Sequence, residues 1–150
     1  MTHVASEDEM KQLGAQVGAL LRGGEVIELV GDVGAGKTTF VKGLAIGLDI
    51  DEPIQSPSFT ISRTYDGRDK LQLVHYDFYR LDDAGIMASD VRESTISHHV
   101  VTVVEWADIV VDVLPAERLT LQITPTDETG REVTMIPVGE RADVIAGALV

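Results

Sequence analysis

The chain has 150 residues, the length of one ordinary domain, so we predict a single domain with a sizeable core. Hydrophobic residues make up 44% of it, yet no apolar run approaches the roughly 18 residues of a membrane-spanning helix, which argues against a membrane protein. The formal net charge is −13, with 12 basic against 25 acidic residues and no cysteine. These counts argue against direct nucleic-acid binding and exclude disulfides, thiolate zinc sites and a cysteine nucleophile.

The N-terminal segment MTHVASEDEM has neither a basic region nor an apolar region of the kind found in secretory signals. We therefore expect a cytoplasmic protein. Ser6 followed by Glu9 fits a capping box, and Gly23-Gly24 is a helix stop. Apolar residues recur between them at helical spacing: Met10, Leu13, Val17, Leu20 and Leu21. The chain is thus predicted to open with an amphipathic helix.

A phosphate-binding loop follows. Residues 25–30, EVIELV, form a nearly continuous apolar run typical of a central parallel strand. Residues 31–38, GDVGAGKT, match the G-x-x-x-x-G-K-[ST] motif. Beyond the motif, one predicted helical face carries apolar residues: Phe40, Val41, Leu44, Ala45 and Leu48. This strand–loop–helix context favours the phosphate loop over a plain glycine-rich turn with an exposed lysine.

The chemistry of such a loop assigns roles to its residues. Small residues let successive backbone N–H groups approach an anion, and the helix presents its positive end to the same charge. Lys37 would then reach the β- and γ-phosphates, and the Thr38 hydroxyl would lie on Mg²⁺.

The next segment is predicted to be a loop and a hairpin. Residues 49–60 contain prolines, acids and hydroxyls and read as an ordered loop. In it, the hydroxyls of Ser56, Ser58 and Thr60 would supply a metal ligand or merely cap a turn, and both interpretations stay open. Residues 59–65 and 70–80 flank the sequence DGRD, which predicts an antiparallel hairpin and therefore a mixed sheet.

Two acids stand at predicted strand ends. Asp77 ends LVHYD, and Glu105 ends the buried-strand pattern in 99–106. An acid in this place holds Mg²⁺ or orients the attacking water in nucleotide hydrolases. Glu105 fits better on pattern and Asp77 equally well on chemistry, while a solvated acid or a pair with Arg80 is the competing interpretation. Trp106, beside Glu105, is expected to stack on a base or close over the site.

The remaining segments complete an α/β pattern. Residues 82–97 are predicted as a short helix plus a loop, and 107–114 as a short helix ending at Pro115. Two alternating runs around DETG form a second predicted hairpin, and 140–150 a last helix. His75, His98 and His99 do not form a metal set, so we interpret them as structural or surface residues.

Absent motifs narrow the class of enzyme. The sequence contains no asparagine, so the guanine-reading motif of small GTPases is missing and adenine is the expected base. There is no transporter signature of the LSGGQ type, and the arginines are scattered rather than gathered in a kinase-like lid. A partner-switching ATPase, a small-molecule kinase and a nucleotide-sensing module without hydrolysis remain as hypotheses.

Four motifs together resemble a known family. The sequences GDVGAGKTTFVKGL, SPSFT, HYDFYRL and VVEWAD occur in this order and at similar spacings in the bacterial TsaE (YjeE) family. The resemblance covers residues 6–138 and implies a P-loop NTPase fold, a three-layer α/β/α arrangement with a mixed, mainly parallel central sheet and β-hairpins. It also implies slow, Mg²⁺-dependent ATP hydrolysis and binding to the TsaD and TsaB proteins, which transfer a threonylcarbamoyl group to tRNA. Contact with tRNA would be indirect, through that complex.

The resemblance also implies particular site residues. Glu105, Asp77 and Lys37 would be catalytic, and Thr38, Asp77 and Glu105 would hold the metal. Nucleotide contacts would fall on Asp32, Val33, Gly34, Ala35, Gly36, Lys37, Thr38, Thr39 and Trp106. Two departures are visible: Ser58 stands where the family has threonine, and residues 83–97 lack the usual acidic pattern with glycine.

Overall fold

The computed structural model describes residues 2–32, 34–55, 61–79, 81, 85 and 87–149. Its strands are β1 (Thr2–Val4), β2 (Val26–Val30), β3 (Ser62–Asp66), β4 (Gln72–Asp77), β5 (Val100–Glu105), β6 (Arg118–Pro125) and β7 (Arg131–Val138). Its α-helices are α1 (Glu7–Leu20), α2 (Lys37–Gly47), α3 (Met87–Ile96) and α4 (Glu140–Ala148), and short 3₁₀ turns cover Arg68–Lys70 and Ala107–Val110. Among the described residues, no helix is both long and apolar enough to cross a membrane.

The strands form one mixed sheet in the order β1-β7-β6-β2-β5-β4-β3. The four central strands β6, β2, β5 and β4 are mutually parallel, while the outer strands pair antiparallel. Since β1 is antiparallel to β7 and β7 to β6, β1 also runs with the central strands. The predicted mixed, mainly parallel sheet with β3–β4 and β6–β7 hairpins is therefore confirmed.

Two apolar clusters cover the two faces of the sheet. The larger one joins α1, α2 and α4 to alternate residues of the strands, such as Ile27, Val103 and Leu121. The smaller one joins α3 and the 3₁₀ turn after β5 to the other face, where Tyr76 and Val104 lie. Helices on both faces of a largely parallel sheet make the three-layer α/β/α arrangement.

The first helix begins as its sequence predicts. The backbone N–H of Glu9 donates to the Ser6 hydroxyl (3.2 Å), and the Glu9 carboxylate accepts from the Ala5 N–H (2.9 Å). Glycines then let α1 and α2 pack backbone to backbone, because a Cβ on Gly14 would lie 2.9 Å from the Gly43 Cα. This close approach fixes α2, and with it the loop that precedes α2, against the N-terminal helix.

Two local features differ from what the sequence predicts. The strand β1 was not expected, because three residues are too few to show a period of two; it pairs with β7 through backbone bonds. Residues 107–114, predicted as a short helix, form only a 3₁₀ turn, Ala107–Val110. The short helix predicted within 82–97 is confirmed as α3, and residues 82–84 and 86 lie outside the described residues.

Parallel strands bring distant acids to one edge. In the register of β4 and β5, Asp77 lies opposite Glu105, and in that of β2 and β5, Leu29 lies opposite Glu105. The loop after β2 therefore starts beside both carboxylates. Ligands of open α/β sheets bind at this carboxyl edge.

Candidate functional site

The loop between β2 and α2 has the backbone of an anion cradle. Gly34 and Gly36 have φ angles of 84° and 110°, in the left-handed region that favours glycine. Gly36 is also the N-cap of α2, and no described side chain caps it. The first N–H groups of α2 are thus left for a ligand, and the helix dipole favours a negative one. Val33, a predicted contact, lies outside the described residues.

Arg131, on β7, ties the loop to the sheet. Its Nε donates to the carbonyl of Ala35 (2.9 Å) and its Nη2 to the carbonyl of Gly34 (3.3 Å). These two hydrogen bonds hold the carbonyl groups toward Arg131. The adjacent peptide planes are thereby oriented so that their N–H groups can point away from Arg131. No sequence pattern predicts this role of Arg131, since 96 residues separate it from Ala35 and no motif marks it.

Lys37 is buried where the loop enters α2. Its Nζ donates to the carbonyl of Gly31 (2.6 Å) and lies 3.8 Å from Glu105 Oε1. The same Nζ lies 4.1 Å from the centre of the Trp106 ring, a cation–π distance. Burial lowers the pKa of Lys37, while Glu105, Asp77 and Asp32 act in the opposite direction.

The two strand-end acids are both buried, with Asp77 6% and Glu105 3% exposed. Asp77 Oδ1 accepts from the backbone N–H of Tyr79 (3.0 Å), which fixes that carboxylate. The structure therefore brings Asp77, Glu105 and Lys37 together, as the sequence analysis expected. The alternative that these acids are solvated is wrong, and Arg80 lies outside the described residues.

His75 belongs to this cluster, although its sequence context predicts only a structural or surface residue. It is fully buried, and its Nε2 lies 2.5 Å from Glu105 Oε2. The sequence signal that could have identified it is its position two residues before Asp77 on a strand, because side chains two residues apart lie on the same face. His98 and His99 are exposed, as expected.

An aromatic pair lies beside the acids. Trp106 directly follows Glu105 and has a left-handed backbone with φ of 56°, which is uncommon outside glycine. The ring centres of Trp106 and Tyr79 are 4.9 Å apart with planes tilted by 36°. The pair closes one side of the site.

These residues line a cavity of about 490 Å³. Predicted residues in its wall are Gly34, Gly36, Lys37, Thr38, Thr39, Asp77, Glu105 and Trp106. Residues that were not predicted are Ser6, Glu7, Met10, Tyr79, Glu128, Thr129 and Arg131. Asp32 and Ala35 do not line it: Ala35 is buried behind the loop, and the Asp32 carbonyl accepts from the Ala35 N–H (3.0 Å). Ser56, Ser58 and Thr60 lie outside the described residues.

The oxygen atoms that line the cavity suit Mg²⁺, which completes its shell with water and phosphate, better than a metal ion bound by protein side chains alone. Across the described parts of the chain, no three His, Cys, Asp or Glu side chains form a metal-ligand group. Two carboxylates and the Thr38 hydroxyl do line one cavity. Mg²⁺ commonly takes one or two carboxylates and completes its shell with water and phosphate oxygens.

The site combines a parallel strand, a glycine loop that caps a helix with a buried lysine, and acids at the neighbouring strand ends. This combination defines a protein of the P-loop NTPase type. The family model described as threonylcarbamoyl adenosine biosynthesis protein TsaE matches residues 4–133. The chain belongs to the TsaE family, which confirms the resemblance found in its motifs.

Individual relatives agree with the family match. The tRNA threonylcarbamoyladenosine biosynthesis protein TsaE of Bacillus subtilis is 39% identical over 144 residues, 95% of this chain and 88% of the relative. That of Treponema pallidum is 38% identical over 130 residues, 87% of this chain and 95% of the relative. The crystal structure of YdiB from Bacillus subtilis superposes with a TM-score of 0.80 at 34% identity, over 99% of this chain and 91% of that one.

Proposed function

We propose that this protein is an ATPase of tRNA threonylcarbamoyladenosine biosynthesis, whose hydrolysis of ATP with Mg²⁺ drives turnover of a TsaD–TsaB transferase complex. Family membership supports the pathway. One observation supports the chemistry: the buried Lys37 Nζ lies 3.8 Å from Glu105 Oε1 at the mouth of the phosphate loop. The cation that would bind phosphate therefore lies next to the carboxylate that would bind water or metal.

Nucleotide binding would use the loop first. The N–H groups at the start of α2 would receive the β-phosphate, and Lys37 would exchange the Gly31 carbonyl for phosphate oxygens. Arg131 would keep the Gly34 and Ala35 carbonyls turned away from the anion. The nucleoside would occupy the rest of the cavity, between the start of α1 and the β6–β7 turn, where Met10 and Thr129 lie.

Magnesium would be held by the Thr38 hydroxyl and the carboxylates of Asp77 and Glu105. Once bound there, it would neutralise charge on the β- and γ-phosphates. The backbone bond from Tyr79 holds Asp77 in one orientation, so this carboxylate needs little reorganisation.

Hydrolysis would then depend on Glu105. Its carboxylate would accept a hydrogen bond from the attacking water, while Lys37 would stabilise the charge that develops on the transferred phosphoryl group. Trp106 and Tyr79 would exclude other water from that side. We expect slow turnover by the isolated chain, since a P-loop site that lacks a stabilising group from a partner loses on the order of 10³–10⁵ in rate.

The acidic surface fits a protein that reaches tRNA through others. With a net charge of −13, the chain would repel a phosphate backbone, so TsaD and TsaB would carry the tRNA contact. This division of labour would take place in the cytoplasm.

The test is ATP hydrolysis by the purified chain with and without the TsaD–TsaB pair of the same organism, with tRNA threonylcarbamoylation followed in parallel. We expect the pair to raise hydrolysis and the chain to convert single-round modification into repeated turnover. A phosphorylated small molecule that accumulates as ATP disappears would instead identify a kinase. ATP binding without any hydrolysis, with or without the pair, would identify a nucleotide sensor.

A further inference from the structure

Each oxygen of the Glu105 carboxylate faces a different partner. Oε2 lies 2.5 Å from His75 Nε2, and Oε1 lies 3.8 Å from Lys37 Nζ. A carboxylate in its ionised form only accepts hydrogen bonds, so His75 Nε2 would be the donor in the first contact. The shorter contact thereby holds Oε2 in place, and the carboxylate presents Oε1 to the cavity.

Packing alone does not account for a histidine at position 75. The side chain is fully buried, and its Nδ1 has no hydrogen-bond partner among the described residues. Burying a polar nitrogen without a partner is unfavourable, and an apolar side chain of similar size would avoid that cost. The neighbouring positions on the same face, Leu73 and Val103, are indeed apolar. The contact with Glu105 is therefore the feature that the imidazole adds.

Without this contact, the carboxylate would be free to turn toward the lysine. A buried carboxylate that loses one hydrogen-bond donor seeks another, and among the described residues Lys37 is the lysine or arginine in ion-pair range of Glu105. Both oxygens would then engage Nζ. Such a pair would hold Lys37 away from phosphate oxygens and Glu105 away from water.

We propose that His75 is a positioning residue that sets the orientation of the Glu105 carboxylate and keeps it from pairing fully with Lys37. This inference rests on the proposed function, in which Glu105 supports hydrolysis. His75 itself is fully buried and is not among the described residues that line the cavity.

Three variants test the role by the position of a single N–H group. In His75→Gln, the amide nitrogen comes near the place of Nε2; in His75→Asn it comes near that of Nδ1; His75→Leu has no donor. Substitutions of groups that orient a ligand typically lower activity 10–100-fold. We expect His75→Asn and His75→Leu to lose about that much in kcat and also to bind ATP more weakly, because Lys37 is then held by Glu105, and His75→Gln to recover most of both losses.

ATP affinity can be followed through the fluorescence of Trp106, the single tryptophan of the chain. His99→Gln, at an exposed position, is the matched control and should leave kcat unchanged. If kcat falls as far in His75→Gln as in His75→Asn while both variants are folded, or if His75→Leu keeps the wild-type kcat, an N–H group at the Nε2 position has no role and the proposal is wrong.

A second measurement does not need turnover. In nitrogen NMR of histidine-labelled protein, the His75 signal, identified by its loss in His75→Gln, should show a slowly exchanging proton on Nε2, and Glu105→Ala should abolish that slow exchange. An Nε2 proton unaffected by Glu105→Ala would overturn the proposal. A wild-type chain that never hydrolyses ATP, yet passes this test, would overturn the proposed function and leave the contact intact.

Discussion

Lys37 Nζ lies 4.1 Å from the centre of the Trp106 ring while it donates to the carbonyl of Gly31. The cation that would bind phosphate is therefore engaged with the protein itself. Nucleotide binding has to move Lys37 Nζ away from at least one of these groups, and the fluorescence of Trp106 should change as a result.

We accordingly expect a saturable change in Trp106 fluorescence when ATP is added. Lys37→Ala should weaken ATP binding by about 10–150-fold, because a charged hydrogen-bond partner of the phosphates contributes about 1.5–3 kcal/mol and the helix end alone contributes less. Calorimetric titration checks this variant. Lys42→Ala, on the exposed face of α2, is the control, and equal loss in both variants would contradict the assignment.

Glu105→Gln should keep ATP binding and lose hydrolysis. The amide retains the shape of the side chain but cannot take up a proton, and positioned acid–base groups contribute about 10²–10⁴ in rate. Single-turnover measurements with saturating ATP isolate this step. Full activity in the variant would remove Glu105 from the mechanism.

Asp77→Asn is expected to act through magnesium. The variant keeps an oxygen that can accept from the Tyr79 N–H, so the local backbone should hold, but it loses a negative charge toward the metal. The Mg²⁺ concentration for half-maximal hydrolysis should rise about tenfold. A lower maximal rate with an unchanged Mg²⁺ requirement would instead indicate a role in water activation.

Arg131→Lys should weaken ATP binding about 3–30-fold, even though the charge is kept. A lysine cannot bond the Gly34 and Ala35 carbonyls at once as the guanidinium fork does, so the loop would spend less time in the binding conformation. Trp106 fluorescence titrations measure the effect. Arg118→Lys is the matched control, since its guanidinium contacts Glu28 and Pro115 away from the cavity.

Tyr76→Phe tests the anchor of α3 instead of the site. The Tyr76 hydroxyl donates to Asp90 Oδ2 (2.7 Å), and its loss should lower the free energy of unfolding by about 1–2 kcal/mol in urea, with ATP affinity unchanged.

Burial and the Asp90 carboxylate raise the pKa of Tyr76. The folded state therefore holds this proton more tightly, so the wild type should lose stability as pH rises above about 10, and the variant should lack that component. Parallel pH curves for the two proteins would contradict this.

The sequence by itself determined the phosphate loop, most strands and the identity of the two acids. These features are local: glycine spacing at 31–38 defines the loop, and runs of β-branched residues that end in Asp77 or Glu105 define buried strands. The family resemblance was readable for the same reason, since its four motifs are short and contiguous.

Only the tertiary structure decided how these pieces act together. The parallel register of β4 and β5 sets Asp77 opposite Glu105, and it brings His75 to the back of that carboxylate. The clamp of Arg131 on the loop depends on β7 lying next to β6, far from the motif in sequence. Such contacts join residues that no periodic pattern relates, because they arise from the packing of strands across the sheet. Sequence patterns therefore identified the candidate site residues, and packing decided which of their atoms face one another.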